Sequence, residues 1–214
     1  MIPKFVIIVI IILTLGVLIQ GCKLKTHDSI EKEKINNSNI PINTEKATFA
    51  GGCFWCIEAV FDETEGVIQA ISGYTGGSEE DAEYYTVSSG KTQHLEAVEI
   101  TFDTVKISYE ELLDLFWKTI DPTDDEGQFA DKGPQYRTAI FYHDDEQKKL
   151  AEKSKKEMQK HYDKPIVTEI RPAVAFYKAE EEHQDYARKR TSQYKLYEKG
   201  SGRKDYVENK WGKS

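Results

Sequence analysis

The sequence is poor in cysteine and has no excess of basic residues. Its 214 residues include only 3 cysteines, which excludes the disulfide-dense scaffold of many small secreted domains. Acidic residues outnumber basic ones by 37 to 29, and the net charge of -8 argues against a nucleic-acid-binding protein, whose surface would be basic. The 5 histidines show no metal-ligand spacing, so we expect no metal site.

Long apolar runs are also absent, except for one at the N-terminus. Lys4 is the one charged residue in the segment 1–21, and an apolar run of signal-peptide length follows it. Gly21 directly before Cys22 resembles the lipobox of bacterial lipoproteins, in which the cysteine is acylated. The pattern predicts a lipoprotein signal peptide over 1–21 and a protein held by a lipid on the extracytoplasmic face of the bacterial cell membrane. An uncleaved membrane anchor is the alternative.

The rest of the chain divides into three parts by composition. Residues 22–46 are polar, which predicts a lipidated cysteine followed by a flexible tether. Ordered patterning covers residues 47–197, which we expect to form one domain. Residues 198–214 are rich in lysine and predict a basic C-terminal tail.

Within this domain, strand-like and helix-like stretches alternate. Residues 67–73 and 94–102 show the alternation of half-buried strands. A long charged helix is predicted from Asp144, an extended segment over 166–177 and a last helix over 179–190. This order predicts an α/β layered domain with a mixed β-sheet.

The segment from Gly51 to Cys56 combines three features of a reactive-thiol site. Its two glycines let the chain turn from a strand into a helix, so Cys53 falls at the helix N-terminus, where a thiolate is favoured. Cys56 follows in C-x-x-C spacing, and the intervening Phe54 and Trp55 indicate a small apolar pocket. The alternative is that Cys53 is a small buried hydrophobic residue and that both aromatic residues belong to the core.

Glu96 is the second candidate for chemistry. Alternation along the strand from His94 to Phe102 places Glu96 on one face with Val98 and Ile100. A carboxyl group among apolar side chains tends to stay protonated, which would suit a general acid. The alternative is a carboxylate at the strand end, in solvent or paired with a cation.

Several motifs occur in the order and spacing of the A-type peptide-methionine sulfoxide reductases, and the resemblance covers about residues 47–190. They are Gly52 to Trp55, Gly73 to Gly77, Gln93 to Val98, Asp131 to Arg137 and Glu182 to Gln184. The resemblance implies an α/β (α+β) sandwich, with a mixed β-sheet flanked by helices and a ferredoxin-like core.

The resemblance also implies roles for individual residues. Cys53 matches the family's nucleophile, and Glu96 matches the acid that protonates the sulfoxide oxygen. The other matches are Phe54 and Trp55 for the pair that holds the sulfoxide methyl group, Tyr84 and Tyr136 for hydroxyls that bond its oxygen, and Asp131 for a residue that positions the substrate and its water.

Many members of this family resolve the oxidised nucleophile with C-terminal cysteines, but no cysteine follows Cys56 here. Cys56 is therefore the candidate resolving thiol, as in members with the motif GCFWC, since an acylated Cys22 would be unavailable. Side chains at i and i+3 of a regular helix lie about 5–6 Å apart at Cβ, whereas a disulfide prefers about 3.8 Å. We therefore expect the first helical turn to loosen on oxidation.

The implied reaction is reduction of the S-epimer of methionine sulfoxide, peptidyl and also free. No bound cofactor is expected, because a thioredoxin-like dithiol would supply the reducing equivalents. The expected partners are therefore oxidised proteins or peptides, this reductant and the membrane, for a monomer that does not bind nucleic acid. The alternatives are an extracytoplasmic thiol–disulfide oxidoreductase that uses the C-x-x-C pair and a substrate-binding lipoprotein without catalysis.

Overall fold

A computed structural model describes residues 43–212. Its strands are β1 (Thr44–Gly51), β2 (Val67–Thr75), β3 (Leu95–Asp103), β4 (Gly127–Gln128), β5 (Asp131–Lys132), β6 (Thr138–Tyr142), β7 (Glu169–Pro172) and β8 (Phe176–Lys178). Its α-helices are α1 (Phe54–Asp62), α2 (Tyr84–Ser88), α3 (Tyr109–Thr119), α4 (Asp145–Gln159), α5 (Tyr186–Lys189), α6 (Thr191–Ser201) and α7 (Arg203–Trp211). Short 3₁₀ turns cover Glu79–Asp81 and Pro134–Tyr136.

Six strands form one mixed sheet in the order β7-β6-β1-β3-β2-β8. The β6–β7 pair is parallel, and the other neighbouring pairs are antiparallel. The chain order β1-α1-β2-β3-α3-β6 combines with the sheet order β6-β1-β3-β2, which is the ferredoxin-like arrangement of two split β-α-β units. The fold class predicted from the sequence is therefore confirmed.

The main core lies between one face of this sheet and the helices α1 and α3. Phe49 of β1 stacks on Phe116 of α3 with ring centroids 4.8 Å apart, and both rings are fully buried. Alternate residues of β3 project to opposite faces, so Val98 and Ile100 join the main core while Ala97 joins a smaller cluster on the other face. Burying each large apolar side chain contributes about 1.5–3 kcal/mol, which fixes the strand register around the site.

The C-terminal third differs from the sequence prediction. The expected helix over 179–190 is interrupted, because Asp185 has a left-handed φ of 55° and the side chain of Gln184 donates to the carbonyl oxygen of Ser72 at 2.9 Å. Residues in this segment therefore bond to β2 instead of to their own helical turn, and only the short helix α5 forms.

The predicted basic tail over 198–214 and the domain end at residue 197 are also wrong. The helices α6 and α7 continue the domain to Trp211, and a left-handed Gly202 separates them. The side chain of Arg203 is buried in the domain and donates to the carbonyl oxygen of Gly51. Because Arg203 bonds to the end of β1, the C-terminal segment that carries it is part of the domain.

The predicted signal peptide over 1–21, the lipidated Cys22 and most of the tether over 22–46 lie outside the described residues. The last three residues of the predicted tether, Thr44 to Lys46, belong to β1. None of the helices within residues 43–212 has both the length and the apolar composition that a membrane span requires.

Candidate active site

The site is built on the turn from β1 into α1. Gly52 has a left-handed φ of 85°, and a Cβ atom there would lie 2.6 Å from the Cβ atom of Gln128, so the turn requires glycine. Cys53 is the N-cap residue of α1, and the amide of Cys56 donates to the carbonyl oxygen of Cys53 at 3.2 Å. The turn thus places both cysteines at the start of one helix, as the sequence predicts.

The two thiols are buried together and interact. Cys53 is 5% exposed and Cys56 is 2% exposed, and neither forms a disulfide. Burial raises the pKa of Cys53 well above its ordinary value, whereas a hydrogen bond with Cys53 and the charge of Arg203 lower the pKa of Cys56 to about 7. Desolvation of Cys53 therefore opposes the effect of the helix N-terminus, and the thiolate state of Cys53 stays a prediction.

Glu96 lies on β3 directly beside the start of α1. One of its carboxyl oxygens accepts a hydrogen bond from the amide of Phe54 at 3.0 Å, and the side chain is 2% exposed. Burial raises the pKa of Glu96 to about 8, although the Phe54 amide acts in the opposite direction. A carboxyl group beside the turn that carries Cys53 therefore favours its protonated form at neutral pH.

Aromatic side chains surround Phe54 and Trp55. The ring of Phe54 lies 5.4 Å from that of His183, which stacks on Tyr84 at 4.2 Å. Trp55 stacks on Tyr186 with centroids 3.9 Å apart. The structure therefore places Phe54 and Trp55 in an apolar aromatic wall. His183 lies in a matched motif but has no role predicted from the sequence, and Tyr186 is not predicted at all, because nothing local marks a residue that packs from a distant segment.

Two tyrosines lie close to the carboxyl group of Glu96. Burial raises the pKa of Tyr84 to about 12 and also raises that of Tyr136, and the charge of Glu96 contributes to both shifts. Both hydroxyls therefore remain protonated donors at physiological pH. The amide of Tyr84 donates to Glu180 at 2.9 Å, and Glu180 also accepts from the hydroxyl of Tyr74 at 2.9 Å, which fixes the start of α2 beside the site.

Helix α6 covers the cysteine pair with two further tyrosines. The hydroxyl of Tyr197 donates to the carboxylate of Asp131 and interacts with the thiol of Cys53. Tyr194, one turn earlier, interacts with the thiol of Cys56. Neither tyrosine is predicted from the sequence as a site residue. Residues three apart on a helix lie on the same face, so the spacing of these tyrosines could have indicated a shared role. The predicted domain end at residue 197 gave no reason to place them on one helix.

The structure thus gathers most of the residues selected from the sequence around Cys53. They are Phe54, Trp55, Cys56, Tyr84, Glu96, Asp131 and Tyr136. Cys22 lies outside the described residues. In the part of the chain that the structure describes, no group of three or more His, Cys, Asp or Glu side chains is arranged to hold a metal ion.

Comparisons with known proteins agree on one family. The family model described as peptide methionine sulfoxide reductase matches residues 45–214. The curated peptide methionine sulfoxide reductase MsrA of Bacillus licheniformis is 53% identical over 171 residues, which cover 79% of this chain and 94% of that protein. MsrA 2 of Staphylococcus aureus strain Mu50 is 48% identical over 170 residues, covering 78% and 96% of the two chains.

Solved structures show the same similarity in three dimensions. Reduced Mxr1 from Saccharomyces cerevisiae matches with a TM-score of 0.68 and 33% identity, covering 71% of this chain and 88% of that chain. Methionine sulfoxide reductase A of Corynebacterium diphtheriae matches with a TM-score of 0.63 and 32% identity, covering 72% and 77%.

Proposed function

The chain belongs to the peptide methionine sulfoxide reductase family, and we propose that Cys53 is its nucleophile and Glu96 its proton donor. The enzyme reduces methionine sulfoxide to methionine and so repairs oxidised proteins. The observation that carries the residue assignment is the 3.0 Å hydrogen bond from Phe54 to Glu96, which joins the acid to the turn that bears the thiol. The matched proteins are methionine sulfoxide reductases and do not favour the thiol–disulfide oxidoreductase alternative.

The first half of the reaction needs an acid, because a sulfoxide sulfur is a weak electrophile until its oxygen takes up a proton. At neutral pH the buried carboxyl group of Glu96 holds that proton. Cys53 becomes a thiolate by passing its own proton along the hydrogen bond to Cys56, and it then attacks the sulfur of the S-epimer. The oxygen, with its proton, then transfers to the sulfur of Cys53 as its bond to the substrate sulfur and the bond between the two sulfurs break, so methionine leaves and Cys53 becomes a sulfenic acid.

The surrounding side chains hold the substrate in position for this attack. The aromatic wall of Phe54 and Trp55 suits the methyl group of the sulfoxide, which is small and apolar. The protonated hydroxyls of Tyr84 and Tyr136 donate hydrogen bonds to the oxygen while its charge changes. Asp131, whose carboxylate accepts from Tyr197, positions the substrate and its water.

The second half of the reaction consumes the sulfenic acid. Cys56 releases its proton to solvent, and its thiolate attacks the sulfenic sulfur of Cys53. The new S–S bond forms as the S–O bond breaks, and the departing hydroxide takes up a proton to become water. Both cysteines lie at the start of α1, so the first turn of this helix loosens to bring the sulfurs together.

A dithiol partner then reduces the disulfide, and a thioredoxin-like protein has the chemistry to do so. The apolar N-terminal segment and the lipobox-like Gly21-Cys22 support a location on the extracytoplasmic face of a bacterial membrane, held by a lipid. Its reductant there is a thioredoxin-like protein on the same side of the membrane. The same location gives it access to oxidised surface proteins.

Mass spectrometry of a single turnover tests the assignment of the two cysteines. Reduced protein is mixed with a stoichiometric methionine sulfoxide peptide and no reductant. We expect about one equivalent of methionine and a mass loss of two hydrogens, located by peptide mapping at Cys53 and Cys56. The variant Cys56→Ser should form the same methionine but keep a sulfenic acid that a dione reagent traps.

The variant Cys53→Ser is the matched control and should form no methionine. Methionine formation by this variant would show that another group attacks the substrate. Normal recycling of Cys56→Ser by thioredoxin would show that Cys56 is not the resolving thiol.

A further inference from the structure

Arg203 is a buried cation directly behind the catalytic turn. It is the first residue of α7, and its side chain is 4% exposed. One terminal nitrogen donates to the carbonyl oxygen of Gly51 and the other to that of Thr119, each at 2.9 Å. The guanidinium group also lies over the ring of Phe129, 4.7 Å from its centroid. Arg203 thus connects α7 to the end of β1.

This charge has no carboxylate partner within residues 43–212, where Arg203 forms no ion pair with an Asp or Glu. Its Nε atom is buried and has no hydrogen-bond acceptor. A buried charge is costly unless an opposite charge offsets it, and carbonyl dipoles and a ring face offset it only in part. The site must therefore supply negative charge near Arg203.

The acidic groups near Arg203 are Asp131 and Cys56 of the cysteine pair. Several titratable groups from different elements face Cys56, and Arg203 is the cation among them. They are Cys53 at the turn, Glu96 on β3, Asp131 on β5, Tyr194 and Tyr197 on α6, and Arg203 on α7. The acidic members repel a thiolate on Cys56, which the hydrogen bond with Cys53 and the guanidinium charge of Arg203 stabilise.

We infer that Arg203 is a positioning residue for the second half of catalysis, in which its buried charge holds the resolving thiolate on Cys56. This inference rests on the proposed role of Cys56. The step it assists is the attack of the Cys56 thiolate on the sulfenic sulfur of Cys53, which forms the S–S bond and releases hydroxide. The guanidinium charge favours the attacking anion, and its bond to Gly51 holds the turn that carries Cys53.

Close contact between the turn and the guanidinium group supports this role. A Cβ atom at Gly52 would lie 2.8 Å from the nearer terminal nitrogen of Arg203, so the glycine leaves the space that the cation occupies. The charge of Arg203 also acts to lower the pKa of Cys56 and of Asp131. The arginine thereby offsets both acids on this side of the site.

Single-turnover kinetics over a range of pH test the inference. Methionine formation reports the Cys53 step, and loss of free thiols after rapid quenching reports disulfide formation. The variant Arg203→Met should still form about one equivalent of methionine, but the pH midpoint of disulfide formation should rise by at least about 1 unit towards the ordinary thiol value. Disulfide formation at pH 7 should be about threefold slower, because fewer thiolates form but each is more nucleophilic.

Three variants make the test independent of folding and of net charge. Arg203→Lys keeps the charge and should keep the wild-type midpoint, and Lys204→Met removes an exposed neighbouring charge and should change nothing. Arg203→Gln removes the charge but keeps an amide donor, and it replaces Arg203→Met if the latter does not fold. Its midpoint should also rise.

An unchanged midpoint of disulfide formation in a folded neutral variant would overturn the inference. If the wild-type protein itself forms no bond between Cys53 and Cys56, the proposed function of Cys56 fails instead. The two failures are therefore distinguishable.

Discussion

At the residue scale, burial raises the pKa of two acids beside the same turn, the proposed nucleophile Cys53 and the proposed proton donor Glu96. Both lie within the first turn of α1 or bond to it, so one proton can move to Cys56 while another moves to the substrate oxygen. The strand alternation around Glu96 and the C-x-x-C spacing make both groups predictable from the sequence. The protonation state of Cys53 is not predictable in this way, because it depends on neighbours that are distant in sequence.

The substitution Glu96→Gln tests the acid. The amide keeps the shape and an acceptor for Phe54 but cannot donate the proton, so methionine formation should slow by about 10²–10⁴-fold. Alkylation of Cys53 should persist. In the wild-type enzyme the same step should slow as pH rises through about 8, where Glu96 ionises. An unchanged rate in the variant, measured by single-turnover assay, would contradict the assignment.

The raised pKa of Glu96 also predicts a stability effect with a definite sign. The folded protein disfavours the ionised form of Glu96. The contribution of this residue to the free energy of unfolding is therefore fully present below its unfolded pKa of about 4.5, and it is lost as pH rises towards the folded pKa of about 8. At pH 7 the loss is about 3 kcal/mol, an order-of-magnitude value. Urea unfolding should show that Glu96→Gln is less sensitive to pH than the wild-type protein between about pH 5 and 8. Equal pH dependence of the two proteins would contradict the prediction.

At the element scale, the turn between β1 and α1 and the helices α6 and α7 assemble the site from opposite ends of the domain. The turn is predictable from the sequence, because a pair of glycines between a strand pattern and a helix pattern indicates a sharp change of backbone direction. The C-terminal helices are not, because α6 and α7 bury only Ser201 and Arg203 fully. Their polar composition resembles a tail, and their inward contacts are made by half-buried tyrosines and one arginine that no apolar periodicity reveals.

The turn predicts a clear difference between two glycine substitutions. Gly52→Ala should destabilise the protein by about 1–3 kcal/mol, because φ is 85° and the new methyl group would overlap Gln128 and Arg203. Gly200→Ala in α6 is the matched control, since its Cβ atom meets nothing within 4 Å, and it should stabilise the helix by up to about 1 kcal/mol. Urea unfolding measures both. A neutral Gly52→Ala would show that the turn is not constrained.

At the scale of the whole molecule, the domain that matches the family model over residues 45–214 follows an N-terminal segment with the pattern of a lipoprotein signal peptide.

Labelling with radioactive palmitate tests whether a lipid anchors the protein. The wild-type chain expressed in bacteria should incorporate label and fractionate with membranes, whereas Cys22→Ser should not be labelled. Reductase activity of the variant should be unchanged, because Cys22 precedes the matched domain. Labelling of Cys22→Ser would place the lipid elsewhere, and an unlabelled wild-type chain in membranes would favour the uncleaved anchor.

The burial of both sulfurs has a consequence for survival of the enzyme during oxidative stress. Cysteines are driven to irreversible sulfinic and sulfonic acids when an exposed thiolate meets peroxide. Here Cys53 is 5% exposed and burial raises the pKa of its thiol, and Cys56 is 2% exposed. Dissolved peroxide therefore reacts poorly with the buried sulfur of Cys53. A bound methionine sulfoxide, in contrast, lies against this sulfur and beside the proton of Glu96. We therefore expect the enzyme to stay active during the oxidative stress that produces its methionine sulfoxide substrates.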